Sequence, residues 1–333
     1  MSSPEETPPL PEPFRFSDPT PATSDWKGAF ASLAIGLAGA VFGLLPWIVT
    51  GMRLPLQNLW AVDVLPDQMP VAWLPFSQYS VTLVLAMMVV GSAAAGTAAR
   101  ALRDRLPRRA PLSIAAGVLF VQVVATAQAA NVVAGGVMGS AGGALYLAAC
   151  IGIAVVGILF GLLVLGLIAR GPRAGAVIAF TLASIASGWW LTGLIAPLGS
   201  AGVLPDFAYT LLDAARWVPP VLVGVAIGWG GFRTPGRIVA AVGSLLLLWV
   251  VPALATAVSS ALGSRALLRN PLEVLDYGWT VFTSVLLMPI VALPPLVVAA
   301  VTAVIVAAAG PACVDYWRMR RGTVPVDPGS ALE

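Results

Sequence analysis

The sequence predicts an all-α fold, a polytopic transmembrane helical bundle of about eight helices with both termini cytoplasmic. Three observations carry that expectation. Of 333 residues, 59% are hydrophobic and only 10% charged, more apolar surface than a soluble domain of this size can bury. Apolar runs close to the ~20 residues that cross a ~30 Å hydrocarbon core recur eight times along the chain. Basic residues, finally, alternate from turn to turn: five of the eighteen (Arg100, Arg103, Arg105, Arg108 and Arg109) crowd between two of the runs. Short loops rich in Arg and Lys resist translocation, so this turn is expected inside.

The first 25 residues hold seven prolines and five acidic residues and lack the apolar side chains needed to offset ordering entropy, which predicts a disordered, Pro-rich cytoplasmic tail. They have no basic start followed by a short apolar core and a small-residue cleavage site, so they do not read as a secretory signal. A single transmembrane domain is expected over residues 26–317, with spans near 28–50, 80–99, 111–134, 143–169, 174–197, 216–232, 237–260 and 279–310, followed by a short cytoplasmic tail at 318–333. Eight spans return the chain to its starting side. With the Arg100 turn inside, fourteen basic residues fall inside and four outside (Arg53, Arg216, Arg265 and Arg269). Dropping any one span would invert every turn after it.

Two spans depart from regular length. The apolar part of the sixth is too short to cross alone, so it is expected to borrow from residues 207–217 and to bend at Pro219 and Pro220. The eighth is long and carries Pro289, Pro294 and Pro295, which predicts a kinked packing helix. The longest external segment, residues 53–79, contains Pro55, Pro66, Pro70 and Pro75 and cannot form one helix; its apolar residues Leu54, Leu56, Leu59, Val62, Leu65 and Val71 predict that it lies on the bilayer surface or caps the bundle. Trp and Tyr residues fall at the expected interface depths.

The chain has no histidine, which removes the commonest general base and metal ligand and excludes Ser-His hydrolases and His-Glu-x-x-His zinc peptidases. No P-loop is present, and Lys27 is the sole lysine, so no nucleotide partner is expected. The basic residues are dispersed over membrane-edge turns rather than gathered on one face, so no nucleic acid partner is expected either. Nothing points to a cofactor or a metal site. Cys150 and Cys313 fall at different depths and are expected as free thiols.

No Asp, Glu, Lys or Arg lies centrally in any span, which speaks against proton-coupled chemistry. The deep polar residues are Gln122, Thr126, Gln128 and Asn131 in the third span and Thr181, Ser184 and Thr192 in the fifth. At ~100° per residue Thr181, Ser184, Gly188 and Thr192 form one stripe. Gln122, Gln128, Asn131, Thr181 and Ser184 are therefore candidate intramembrane contacts, read as interhelical hydrogen bonds of ~0.6 kcal/mol each, with spans three and five expected to touch. Gly39-x-x-x-Gly43, Gly157-x-x-x-Gly161 and Gly224-x-x-x-Gly228 predict close helix packing within the chain, and secondarily a homo-oligomer or a membrane-protein partner. One external site is a candidate: Asp206, Asp213 and Arg216 at the entry to span six, where the spacing puts the two carboxylates on one helix face and lets Arg216 pair with Asp213.

These features favour a non-enzymatic plasma-membrane protein, either a permease-like carrier or an accessory subunit of an envelope or transport complex. The alternative is a membrane enzyme acting on a lipid-linked envelope substrate through the external carboxylates Asp63, Asp67, Asp206, Asp213, Glu273 and Asp276.

Overall fold

The computed structural model describes residues 25–57, 59–197, 204–264 and 271–322. The expected N-terminal tail and most of the C-terminal one lie outside the described residues. Those described form helices α1 (Asp25–Val49), α2 (Val81–Ala101), α3 (Ala110–Gly136), α4 (Ala141–Arg170), α5 (Arg173–Ile195), α6 (Asp206–Ala215), α7 (Val218–Gly230), α8 (Pro235–Gly263), α9 (Pro271–Leu286) and α10 (Pro289–Gly322). Two isolated β-bridges, Arg53 with Val71 and Trp60 with Val137, are the only strand-type pairings among the described residues. Eight segments are long and apolar enough to cross a membrane, with α6 and α7 counting together as one and α10 contributing its first part, Pro289–Ala309. The fold is an all-α, polytopic helical bundle.

Local chemistry sets the helix ends. Ser140 caps α4 by accepting from the Gly143 amide at 3.2 Å, satisfying one orphan donor of the first turn. Arg100 and Arg170 stand in the last turns of α2 and α4, where a cation complements the helix dipole. Gly231 ends α7 at φ 69°, a backbone geometry that L side chains adopt with strain.

The sixth span borrows from the preceding segment as expected. Residues Asp206–Ala215 and Val218–Gly230 are two helices meeting at Arg216 and Trp217, and Pro219 and Pro220 occupy the first turn of α7, where a missing amide proton costs nothing.

The eighth run differs from expectation: it is two helices, not one kinked helix. α9 ends at Leu286 and α10 begins at Pro289. Proline disfavours the α region for the residue before it, so Met288 breaks the helix and Pro289 starts the next one. Trp279, expected at the start of this span, therefore lies in α9, which packs along α8. There the Trp249 indole donates to the Leu286 carbonyl at 3.0 Å. At its other end α10 stays helical to Gly322, beyond the expected start of the tail.

α2 is the centre of the molecule: 72% of its apolar window is buried, against 28–44% for the windows of α1, α3, α4, α5, α6–α7 and α8. It packs on α4, α1, α5 and α3, while α7, α8 and α10 gather on the other side of α5. α5 joins the two groups, with Ala179, Ala186 and Trp190 in the core around α2, and Val177 and Ile185 in the core of α7, α8 and α10.

All three small-residue motifs are used in internal packing. A Cβ on Gly43 would sit 2.3 Å from the Met87 carbonyl oxygen of α2, one on Gly161 2.6 Å from the Ser92 hydroxyl of α2, and one on Gly224 2.5 Å from the Ala299 carbonyl oxygen of α10.

The segment between α1 and α2 caps the bundle at the end opposite the Arg100 turn. Of its apolar residues expected to do so, Leu54 is buried, but Leu56, Val62, Leu65 and Val71 are exposed; the plug is made instead by Met69, Ala72, Leu74 and Phe76. It is pinned by Trp47, which donates to the Ala72 carbonyl at 2.7 Å, and by Arg53, which donates to the Met69 carbonyl at 2.8 Å.

Candidate functional site: two cavities along one helix

The polar residues singled out in α3 and α5 do not meet each other. α3 packs on α1, α4 and α2, and α5 on α7, α2, α8 and α4, so α2 stands between them. Buried Gln122 donates to the Met88 carbonyl (3.1 Å) and to the Ser92 hydroxyl (3.3 Å), both in α2. Its side-chain amide oxygen, Oε1, has no protein partner. Thr126 donates back to the Gln122 carbonyl of its own helix.

Gln128 and Asn131 lie in the last three turns of α3. α3 runs to Gly136, and Gln128 reaches over the capping segment, accepting from the Trp73 amide at 2.7 Å and donating to the Val71 carbonyl at 3.3 Å. Asn131 is exposed. Thr181 donates to the Ser244 hydroxyl of α8 at 2.8 Å, with both residues fully buried. Ser184 donates to the Phe180 carbonyl one turn back.

What the α5 stripe does is line two cavities in succession. The larger, about 810 Å³, lies beside the Arg100 turn and is walled by α2, α5 and α7, with Phe42 of α1 also lining it. Ser184 and Ala183 face it from α5, Val90 and Thr97 from α2, and Leu222 and Val225 from α7. Arg100, Arg103, Asp104 and Arg173 surround its mouth. The Arg100 guanidinium lies 5.0 Å from the Trp229 ring centroid, in cation–π range, while donating to the Ile168 carbonyl at 2.7 Å.

The smaller cavity, about 320 Å³, lies toward the opposite end among α5, α6, α7, α8 and the α9–α10 break. Gly188 and Thr192 continue the α5 stripe into it, and Pro219, Pro220, Pro252 and Pro295 form much of its wall. Pro219 and Pro220 stand in the first turn of α7, whereas Pro252 lies inside α8 and Pro295 near the start of α10. Arg216 also lines it, so of Asp206, Asp213 and Arg216 one residue reaches a cavity. Arg216 pairs with Asp213 at 3.6 Å and stacks at 5.2 Å on Trp217, but both charged side chains are largely exposed and the pair is worth at most about 1 kcal/mol. Asp206 is exposed at the first turn of α6 and does not line the cavity.

The two cavities approach each other where α5 crosses α7. Ser184 faces one and Gly188 the other, a separation of four residues or ~6 Å along the helix. At this seam Gly188 lies against the Pro219 ring, so close that an added Cβ would be 2.9 Å from its Cγ. Helical periodicity reveals the stripe; the basic-mouthed cavity leaves no such local trace, because its walls come from α1, α2, α5 and α7.

Elsewhere, Cys150 is buried as a free thiol, while Cys313 lies outside the residues whose side chains are described. No three of the Asp, Glu and Cys side chains among the described residues form a metal-binding group. No protein-family model matches the chain, and neither a curated protein nor a solved structure is significantly similar to it.

Proposed function

We propose that this multi-pass membrane protein is a permease-like carrier of the plasma membrane, non-enzymatic, with both termini and the Arg100 turn in the cytoplasm. The observation that carries the reading is the pair of cavities on one helix, opening toward opposite ends of the bundle and separated by a single turn at Gly188 and Pro219. Broken helices that border a cavity are a recurring construction for carriers, and here the α6–α7 and α9–α10 breaks border the smaller cavity. Alternating exposure requires that α5 and α7 part at the seam. The segregation of cores on the two faces of α5 supplies two bodies able to rock against each other.

The test is the sidedness of a cysteine in the larger cavity. In a Cys150→Ala, Cys313→Ala background, Ala183→Cys in sealed vesicles is expected to react quickly with a membrane-impermeant maleimide from the Arg100 side and slowly, but measurably, from the other. Reaction from one side alone, however long the exposure, would identify a static scaffold and remove the carrier reading. Orientation has its own check. A reporter active only outside the cytoplasm should be silent after Arg321 and active near Asp67, and the reverse pattern would turn the bundle over.

A further inference from the structure

The larger cavity is built in two chemically distinct parts. Its mouth carries three guanidinium groups, Arg100, Arg103 and Arg173, against one carboxylate, Asp104, a net charge of +2 (three minus one). Arg103 lies 3.6 Å from Asp104, but their side chains are 69% and 88% exposed, so solvent screens that pair and leaves the mouth cationic. The body of the cavity is apolar, walled by Phe42, Val90, Ala93, Leu222 and Val225. From Arg100 to Val90 along α2 is ten residues, or ~15 Å, and from Arg173 to Ser184 along α5 eleven residues, or ~16 Å. Each is about half of a ~30 Å hydrocarbon core, the depth of one leaflet.

The cavity is also open sideways. Phe42, Leu222 and Val225 are each about 40% exposed, and α1 and α7, which carry them, are not packed on each other. A small hydrated anion would use the mouth and gain nothing from a one-leaflet-deep apolar slot facing the bilayer. An amphiphile uses both parts, and basic pockets between transmembrane helices on one membrane face are suited to acidic headgroups.

We propose that this cavity binds an acidic glycerophospholipid from the leaflet on the Arg100 side, its phosphate among Arg100, Arg103 and Arg173 beside the Trp229 ring, and an acyl chain along Phe42, Val90 and Leu222. That this lipid is cargo rests on the carrier reading above; that it binds does not.

The experiment is native mass spectrometry of the full-length protein in detergent, titrated with phosphatidylglycerol and with phosphatidylcholine of the same acyl chains. Phosphatidylglycerol is expected to be retained about tenfold more tightly. The Arg103→Gln/Arg173→Gln variant should bind the two lipids equally, whereas Arg233→Gln/Arg237→Gln, which removes the same charge from a nearby turn outside the cavity, should keep the preference. Leu222→Trp, which fills the apolar body without touching a charge, should weaken phosphatidylglycerol retention by a similar factor. Arg100 is left in place because its bond to the Ile168 carbonyl ties α2 to α4.

Equal retention of the two lipids by the unaltered protein, an equal loss in both double variants, or indifference to Leu222→Trp would each overturn the proposal. Displacement of phosphatidylglycerol by inorganic phosphate at matched concentration would do so too, by making the mouth a free-anion site. Selective lipid binding together with one-sided labelling of Ala183→Cys would sink the carrier reading alone, while two-sided labelling without lipid selectivity would sink this inference alone.

Discussion

Replacing Gly43 by leucine is expected to remove most of the folded protein from the membrane. The Gly43 position has no room for even one carbon: a Cβ would stand 2.3 Å from the Met87 carbonyl oxygen, 2.8 Å from Gly91 Cα and 2.9 Å from Gly91 N. All three are backbone atoms of α2, which cannot swing aside as a flexible side chain would, so relief requires α1 to move away from α2. That movement would also pull at the Trp190 indole, which donates to the Gly43 carbonyl at 2.8 Å, and at the stacking of Phe42 on Trp190 with centroids 5.1 Å apart. α1, α2 and α5 meet at this point, and overpacking there is expected to cost about 3 kcal/mol or more.

Gly152→Leu in α4 is the matched control, since a Cβ there meets nothing within 4 Å; its effect should stay within about 0.5 kcal/mol. Fluorescence-detected size exclusion after graded heating measures both. Equal thermal stability of the two variants would show that the α1–α2 approach has slack the distances deny.

Much of this architecture was legible in the chain. The eight spans followed from apolar length and the alternation of arginines, and the Gly39-x-x-x-Gly43 pair correctly marked a close approach because two glycines four apart present one bare helix stripe. The same logic missed the equally tight α1–α3 contact. There Gly36 and Gly117 face one another as single glycines on different helices, a Cβ on Gly36 lying 2.1 Å from the Ile114 carbonyl oxygen. No local spacing distinguishes such a glycine from one facing lipid.

Gln128 shows a second limit. Its position within an apolar run implies depth, but nothing local to it shows that the capping segment between α1 and α2 folds over to bond it, through the Trp73 amide and the Val71 carbonyl. Pairing was harder still. Gln122 and Thr181 stand out in the sequence as polar groups in need of partners, yet their partners, Ser92 with Met88 and Ser244, come from helices that only the packing selects. The basic mouth illustrates the same point for the site: the arginines of the Arg100 turn carry a topology signal in the sequence, and nothing local to them indicates that Arg173 and Trp229 close a cavity around them.

The largest functional effect is expected from Gly188→Leu. Gly188 stands where the two cavities come nearest, against the ring of Pro219, which is stiffened by Pro220 at the start of α7. α7 cannot yield by bending inward, since its opposite face is held to α10 by Gly224 and Gly228, where a Cβ would lie 2.5 Å and 2.6 Å from Thr302 Cβ and Val306 Cβ. A leucine at Gly188 therefore forces α5 and α7 apart at the seam, at an overpacking cost of about 1–3 kcal/mol. In a carrier the state open toward the smaller cavity is a minor one, populated at roughly 0.1–10%. Destabilising the closed seam by ~1.4 kcal/mol raises that population about tenfold. Ala183→Cys should then react with impermeant maleimide from the side opposite the Arg100 turn at least about tenfold faster than in the parent, with its reaction from the Arg100 side little changed. Gly188→Ala should lie between the two. A leucine that leaves both rates unaltered in a normally folded protein would mean that the seam is not the barrier, and that the two cavities belong to a scaffold with no path between them.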